Sequence, residues 1–366
     1  MNLTYSVSEV IEELTSSYKG AIKRRKAPRP YILFGSPGVG KTQAVMEVAR
    51  KVGAEVKVIL AACVDPVDII GFPEKVNETY AHYLPFKWAY DVTSQDGDPT
   101  ILFFDDLLLA DPKVQGAFFR VCLERYIGDR KIRDDVFIVA ASNRESDNAG
   151  ASEMNKALEN RFRKLTVEVS SDDWIQWAES NQIHPYVVAY IQTHRNHLNN
   201  FNPDSDEASA TPRSWENVSD YLWERDIQTG TDLPKKAIVP LTGMIGGIAS
   251  GFCKWIRTAK GAVDPKVIIK DPKNAPIPEE KDIDILYTTV YGLSSFIQED
   301  PDANKIVSGF IYGNRLPEEF GFILMKQISS KVFELPSDQR EKVLEHEVIE
   351  TSIEKFGKIL PINFNV

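Results

Sequence analysis

The chain has 366 residues and a formal net charge of −10, with 43% hydrophobic and 26% charged residues. This composition is ordinary for a soluble globular protein, and the length suffices for two or three domains. The negative charge provides no general electrostatic attraction for DNA or RNA, although a local basic stripe is still compatible with it.

The cysteines and the N-terminus bear on the cellular compartment. Cys63, Cys122 and Cys253 are far apart in apolar surroundings and lack the spacing of metal ligands. They resemble small buried hydrophobic residues of a reducing compartment. The N-terminus lacks the apolar segment of a signal peptide, so we expect a cytoplasmic protein.

Residues 1–30 are predicted to form an N-terminal helix and linker. The helix should run from Val7 to Arg25, with Ser6 or Ser8 as its N-cap. It ends in the basic cluster 23–26, where cations suit the helix dipole. We interpret this cluster as a solvated helix end rather than a nucleic-acid contact.

Residues 31–170 alternate strands with helices. The strands are continuous apolar or β-branched runs, which is typical of a parallel sheet covered on both faces. Strands are predicted at 31–34, 56–61, 100–104, 136–141 and 164–169, and helices at 41–52, near 65–70, at 111–125 and around 152–159. This pattern predicts a P-loop α/β domain.

The segment from Gly35 to Thr42 reads GSPGVGKT and matches the Walker A pattern between a strand and a helix. Its glycines allow the backbone N–H groups to surround phosphates, and the following helix directs its positive N-terminus at the same charge. Lys41 would reach the β- and γ-phosphates of ATP, and the Thr42 hydroxyl would bind Mg²⁺. The predicted nucleotide-binding residues are Gly35, Ser36, Pro37, Gly38, Val39, Gly40, Lys41, Thr42 and Gln43.

Two further strands end in polar side chains. The apolar run from Ile101 ends in Asp105 and Asp106, an arrangement typical of a Walker B motif. Asp105 suits Mg²⁺ binding, and Asp106 suits the attacking water. The run from Val136 delivers Asn143 at its C-terminal end, where it could orient water or contact the γ-phosphate.

Two arginines complete the candidate site. Arg161 cannot easily reach the nucleotide of its own subunit, but it could stabilise transition-state charge at a neighbour's site. Arg213 lies in the first turn of a helix that Pro212 begins, from which it could reach the γ-phosphate. A surface salt bridge is the alternative for either arginine.

Residues 171–260 are predicted to be a helical lid, 261–280 a Pro-rich linker, and 281–366 a helical region. Seven aromatic residues of the lid have core-like spacing: Trp174, Trp177, Tyr186, Tyr190, Trp215, Tyr221 and Trp223. The uncharged run Ala237–Cys253 is shorter than the roughly 20 apolar residues of a membrane span. We interpret it as a tightly packed helix, with no span.

In this order, five motifs resemble an AAA+ ATPase: GSPGVGKT (35–42), FFDD (103–106), AASN (140–143), ENRF (159–162) and TPRSW (211–215). Asp68–Pro73 is similar to the D-L-x-G-x-P of the MoxR-type branch, and Asp111–Gln115 to its P-P-K-V-Q. The resemblance covers about residues 28–260. It implies a P-loop AAA+ domain with a parallel sheet, followed by a helical lid and a mainly helical C-terminal region.

The same resemblance implies roles for the candidate residues. Lys41 and Thr42 would bind nucleotide and Mg²⁺, Asp105 would bind Mg²⁺, Asn143 would be sensor 1, Arg161 the trans-acting finger, and Arg213 sensor 2. The resemblance also implies hexameric rings with chaperone-like activity, which remodel protein partners, often a protein with a von Willebrand factor A domain.

The chain departs from the family in two places. Asp106 stands where the family usually has Glu, which predicts slower hydrolysis or a water-mediated contact. Arg163 lies two residues from Arg161 and is the alternative finger. In the insert 71–88, the aromatic residues either grip a substrate or pack against the ring body, and His82 is too isolated to be a metal ligand.

We therefore expect a MoxR-type AAA+ ATPase that hydrolyses ATP at the subunit interfaces of a ring. One alternative is a nucleic-acid motor or loader of the same class, which the acidic net charge disfavours. The other is an ATP-switched scaffold with little turnover, which the shorter acid at Asp106 would permit.

Overall fold

Six strands pair into one parallel sheet in the computed structural model, which describes residues 4–147 and 161–356. The strand order is β1-β10-β2-β9-β6-β3. The members are β1 (Thr4–Tyr5), β2 (Tyr31–Phe34), β3 (Glu55–Leu60), β6 (Thr100–Asp105), β9 (Phe137–Ser142) and β10 (Arg163–Val167). The predicted parallel α/β fold is confirmed, and of the six strands in this sheet the two-residue β1 is the one that was not predicted.

Five helices and two small hairpins complete this part of the chain. The helices are α1 (Val7–Lys23), α2 (Lys41–Val52), α3 (Pro66–Ile70), α4 (Lys87–Thr93) and α5 (Pro112–Glu124). The antiparallel hairpins are β4 (Phe72–Lys75) with β5 (Ala81–Leu84), and β7 (Tyr126–Ile127) with β8 (Arg130–Lys131). The helix predicted around 152–159 lies outside the described residues.

The remaining helices follow the sheet. They are α6 (Ser171–Ser180), α7 (Pro185–Thr193), α8 (Pro212–Trp223), α9 (Ile238–Ile245), α10 (Ile248–Ala259), α11 (Pro265–Lys270), α12 (Ile283–Glu299), α13 (Ala303–Arg315), α14 (Glu318–Val332), α15 (Ser337–Leu344) and α16 (Glu347–Phe356). The helical character predicted for these regions is confirmed.

The chain divides into two compact units. Unit 1 comprises Met1–Asp173, Phe201–Asp206 and Thr211–Arg213, and unit 2 comprises Trp174–Asn200, Glu207–Ala210 and Ser214–Val366. The predicted domain limits at 30, 170 and 260 stay predictions. Within the segment predicted as a linker, α11 forms because Asp264 caps its N-terminus and Pro265 occupies its first position.

The sheet of unit 1 is buried on both faces because successive strand residues point to opposite sides. Leu102 and Phe104 pack on one face against Phe118 of α5. Ile101 and Phe103 belong to the cluster on the other face, with residues of α1 and α2. Removal of these apolar side chains from water on both faces accounts for the continuous apolar runs in the sequence.

Strand pairing brings three functional loops to one edge of the sheet. Phe34 of β2 pairs with Ser142 of β9, and Phe104 of β6 pairs with Ala140 of β9. The loops after β2, β6 and β9 therefore leave the same carboxyl edge. The phosphate loop, the Asp105–Asp106 pair and Asn143 lie there, as the sequence predicts.

Helix α1 begins at a capping box. Ser6 Oγ accepts a hydrogen bond from the Glu9 N–H (3.3 Å), and the Glu9 carboxylate accepts one from the Ser6 N–H (2.7 Å). Ser6 is thus the N-cap, and Ser8 donates its hydroxyl hydrogen bond to Asp173 instead. The helix ends at Lys23, two residues before the predicted end, because Arg25 adopts a positive φ of 52°.

The insert forms the β4–β5 hairpin, and its aromatic residues divide between the two expected environments. Tyr80 and Tyr83 are exposed, whereas Trp88 packs against the core. Gly71 begins the hairpin with a φ of +99°, and a Cβ there would lie 2.7 Å from the Leu84 carbonyl oxygen. Glu74 lies 3.3 Å from His82 across the hairpin, and no group of three or more potential metal ligands occurs among the described residues.

Two predictions about apolar segments are wrong in part. Cys122 and Cys253 are buried as expected, but Cys63 is exposed in the turn that follows the edge strand β3. The run Ala237–Cys253 forms two helices rather than one, because Gly246 takes a φ of +57° and a Cβ there would lie 2.1 Å from the Ala208 carbonyl oxygen. In the part of the chain that the structure describes, no helix is long and apolar enough to span a membrane.

Aromatic side chains form much of the core of unit 2. Of the seven aromatic residues predicted to be in the core, five are buried and two, Trp177 and Trp223, are half-buried. The ring of Tyr190 contacts those of Trp215, Phe252 and Trp255. His184, the N-cap of α7, contacts the rings of Tyr186 and Trp223.

His184 is held in its neutral form. Its Nδ1 accepts a hydrogen bond from the Tyr186 N–H (3.1 Å), while its Nε2 donates to the Ile227 carbonyl oxygen (2.8 Å). Burial lowers the pKa of His184 from 6.5 to about 4. The unfolded chain therefore binds a proton that the folded chain excludes between these two values.

We expect the free energy of unfolding to fall by about 2 kcal/mol on this account between pH 7 and pH 5. The contribution is fully present above pH 6.5 and is lost as the pH falls toward 4. Urea unfolding at both pH values, compared with His184→Asn, would measure it. An equal pH dependence in both proteins, or an NMR titration of folded His184 near pH 6.5, would contradict the prediction.

Candidate nucleotide-binding site

The phosphate loop joins β2 to α2 and has the backbone geometry of an anion cradle. Gly38 and Gly40 adopt φ angles of +77° and +101°, which side chains disfavour. Gly40 is also the N-cap of α2 and offers no side-chain acceptor to the first N–H groups of the helix. These groups and the helix dipole favour a phosphate at this position.

Lys41 lies inside the loop with only 7% of its surface exposed. Its Nζ donates hydrogen bonds to the carbonyl oxygens of Gly35 (2.6 Å) and Ser36 (3.1 Å), and to Asn143 Oδ1 (3.0 Å). Burial lowers the pKa of Lys41 to about 8, although nearby Asp105 raises it. The ammonium group is thus held among neutral acceptors that a phosphate could replace.

Thr42 and Asp105 are brought together at the start of α2 and the end of β6. The Thr42 hydroxyl donates a hydrogen bond to Asp105 Oδ2 at 2.8 Å. A hydroxyl oxygen and a carboxylate oxygen are hard ligands of the kind that Mg²⁺ prefers, so these two residues fit the ion. Bound Mg²⁺ would neutralise negative charge on the β- and γ-phosphates.

Asp106 has an unusual backbone conformation. It adopts φ 53° and ψ 41°, the left-handed region that Asp and Asn tolerate better than most residues. Burial raises the pKa of its carboxyl group, and Asp105 raises it further, whereas Lys41 lowers it. In residues 4–147 and 161–356, no hydrogen-bond donor contacts this carboxylate, so it is available to a water molecule.

Other residues of the predicted binding set line the loop in different ways. Val39 is buried in the core, and Pro37 is partly buried. Gln43 is exposed on the first turn of α2. Gly35 lies against β10, since a Cβ there would be 2.8 Å from the Val167 carbonyl oxygen. Only part of this set therefore directs groups into the cradle.

Arg213 belongs to unit 1 and lies close to the phosphate loop. Its Cβ is 3.5 Å from the position that a Cβ on Gly38 would occupy, and Thr211 Oγ1 is 2.7 Å from that position. Its charge lowers the pKa values of both Lys41 and Asp106. The predicted proximity to the site is therefore present, while the role as sensor 2 stays a prediction.

The two candidate finger arginines lie away from this edge. Arg163 pairs with Tyr31 at the start of β2, four residues or roughly 13 Å of strand from Gly35. Its guanidinium group donates to the Tyr31 hydroxyl (2.9 Å) and lies over the Tyr31 ring. Arg161 is exposed and has no hydrogen-bond or ion-pair partner among the described residues. Arg161 is thus the one of the two that is available to another subunit.

The sequence interpretation missed Asp147, which lies in the turn after Asn143. Its carboxylate accepts hydrogen bonds from Ser36 Oγ (3.0 Å) and from the Arg144 N–H (3.0 Å), and only 7% of the residue is exposed. None of the motifs identified in the sequence includes this residue. Its position four residues beyond Asn143, in a loop at the carboxyl edge of the sheet, was the available indication.

Residues 30–162 match the family model described as AAA domain (dynein-related subfamily). This stretch is therefore an AAA+ ATPase domain, which confirms that prediction at the level of the class; the MoxR-type branch stays a prediction. A 91-residue segment is 35% identical to the ATPase family gene 2 protein homolog B of Bos taurus. That match covers 25% of this chain and 11% of the bovine protein, so the chain spans a small part of that relative.

Two solved structures align over much of the chain at low similarity. The Thermotoga maritima RuvB Holliday junction branch migration motor is 14% identical, with a TM-score of 0.35 and coverage of 94% of this chain and 87% of RuvB. NtrX from Brucella abortus in complex with ATP is 12% identical, with a TM-score of 0.39 and coverage of 69% and 61%. TM-scores this low leave both structures without weight for the function.

Proposed function

We propose that this chain, with its AAA+ domain at residues 30–162, binds and hydrolyses ATP and uses the energy to remodel a partner protein. One observation supports the proposal above all others: two hydrogen bonds tie the phosphate loop and its helix to neighbouring strands. Lys41 is bonded to Asn143 after β9, and Thr42 to Asp105 at the end of β6. The groups needed for phosphate, metal and water are thereby gathered at one edge of the sheet.

Each residue of this edge has a distinct chemical task in the proposal. The N–H groups of the loop and the Lys41 ammonium bind the β- and γ-phosphates. Thr42 and Asp105 hold Mg²⁺. Asp106 orients the attacking water and accepts its proton, and Asn143 contacts the γ-phosphate or that water.

The exposed position of Arg161 supports assembly into a ring, with six subunits in the family's usual arrangement. An exposed arginine at the opposite edge of the sheet cannot serve the site of its own subunit, but it can reach a neighbour's γ-phosphate. The MoxR-type assignment is supported by Asp68–Pro73, which stands at α3 and the start of the hairpin. A protein with a von Willebrand factor A domain is the partner that this assignment favours.

Mixing two inactive variants should restore ATP hydrolysis. Arg161→Ala subunits retain an intact phosphate loop, and Lys41→Ala subunits retain the arginine, so random mixing makes about a quarter of the interfaces complete. Phosphate release by the mixture would be compared with each variant alone. Arg163→Ala is the matched control, and it should hydrolyse ATP by itself because Tyr31 already holds that guanidinium group.

Two results would contradict the proposal that Arg161 acts at the nucleotide site of a neighbouring subunit. One is a chain that stays monomeric with ATP at micromolar concentration yet hydrolyses it normally. The other is full activity of Arg161→Ala alone together with loss of activity in Arg163→Ala, which would transfer the role to Arg163.

A second candidate function is a nucleotide-switched scaffold that binds ATP with little turnover. The observation that favours it is Asp106, a short acid in a left-handed conformation where the family usually has Glu. Steady-state phosphate release separates the candidates, because a scaffold would bind ATP and oligomerise without measurable turnover.

A further inference from the structure

Asp147 has no role in the function proposed above, yet it is a buried carboxylate at the same edge of the sheet. It ends a short helical turn, Glu145–Asp147, that directly follows Asn143 and Arg144. The turn is closed on itself, because Asp147 Oδ2 accepts from the Arg144 N–H (3.0 Å) and the Asp147 N–H donates to the Arg144 carbonyl oxygen (3.1 Å). The other carboxylate oxygen accepts from Ser36 Oγ.

These contacts and those of Lys41 connect two loops, the phosphate loop and the loop after β9, in a closed cycle of hydrogen bonds. Ser36 donates its hydroxyl to Asp147, Asp147 fixes the turn at Arg144, and Asn143 is the residue before that turn. Asn143 Oδ1 accepts from Lys41 Nζ, and Lys41 Nζ also donates to the Ser36 carbonyl oxygen. A displacement of Lys41 by a phosphate would therefore act on Asn143 while Asp147 holds both loops in register.

We propose that Asp147 is a positioning residue that fixes Asn143 relative to the phosphate loop, so that the site distinguishes ATP from ADP. The inference rests on the proposed ATPase function of the same site. Asn143 is expected to contact the γ-phosphate, which ADP lacks, whereas the loop N–H groups contact the β-phosphate in both nucleotides. Loss of the anchor should therefore affect ATP selectively.

The test compares Asp147→Ala, Asp147→Asn and Ser36→Ala with the parent chain. Hydrogen bonds to a charged group are among the stronger ones, so we expect Asp147→Ala to lower kcat about tenfold and to weaken the preference for ATP over ADP by a similar factor. ADP affinity should change by no more than about twofold. Asp147→Asn keeps an acceptor oxygen and should recover part of the loss.

Ser36→Ala combined with Asp147→Ala should lose no more than Asp147→Ala alone, because both changes break the same contact. Asp96→Ala is the matched control, since this exposed carboxylate lies in the loop after α4. Isothermal titration with ADP and with a non-hydrolysable ATP analogue gives the affinities, and thermal unfolding reports stability.

The results separate this inference from the proposed function. Parental kcat and parental ATP preference in Asp147→Ala would overturn the inference alone. Equal losses of ADP and ATP affinity, accompanied by a lower Tm, would also overturn it, because a purely structural role predicts that pattern. A parent chain that binds neither nucleotide would overturn the proposed function and, with it, the role of Asp147.

Discussion

Lys41→Ala is expected to weaken ATP binding by roughly thirtyfold to several thousandfold. The ammonium group is buried and hydrogen-bonded within the loop, and truncation of such a charged partner typically removes 2 to 5 kcal/mol of binding free energy, an order-of-magnitude range. The substitution also removes the buried positive charge that lies near Asp105, Asp106 and Asp147. These carboxylates would then repel a triphosphate from the same pocket.

Isothermal titration with ATP in the presence of Mg²⁺ measures this effect. Lys51→Ala is a suitable control, because Lys51 is an exposed lysine near the other end of α2. Near-unchanged ATP affinity in Lys41→Ala would refute the assignment of residues 35–42 as a phosphate loop. Loss of ATP affinity together with a collapse of the Tm in both variants would point to folding of the helix instead.

The sheet could be predicted from the sequence because its strands are buried on both faces. A strand such as 101–104 has no polar alternation, and that continuity distinguishes it from an amphipathic helix. β1 could not be predicted, since two residues have no periodicity and it pairs only through β10. The helix break at Gly246 could not be predicted either, because it depends on the close approach of Ala208, a residue distant in sequence.

The same distinction holds for the candidate site. Lys41, Thr42 and Asp105 could be predicted because their spacing follows from the strand–loop–helix geometry that binds phosphate. Asp147 could not, since its importance comes from a hydrogen bond to Ser36, 111 residues away. The left-handed conformation of Asp106 could not be predicted either, because a residue other than glycine at the end of a strand does not indicate a positive φ.

Asp106→Asn should retain ATP binding and lose turnover by roughly a hundredfold or more, the scale of a general base. Asn tolerates the left-handed conformation as Asp does, so the change removes the charge with little effect on the backbone. Lys41, Thr42 and Asp105 keep their own contacts. The variant should therefore accumulate in an ATP-bound ring and hold its partner longer, which size-exclusion chromatography with ATP and a pull-down would detect.

Asp106→Glu is an informative second variant, because it combines two opposite effects: a longer side chain and greater backbone strain. The longer side chain is the family's usual residue and could retain or raise the hydrolysis rate. Glu is less tolerant of a φ of 53°, so we expect a loss of stability of roughly 1 kcal/mol, read from thermal unfolding. If Asp106→Asn hydrolyses ATP at the parental rate, Asp105 or a residue outside these motifs positions the water. If the parent chain itself shows no turnover under any condition, the switched scaffold is the correct function.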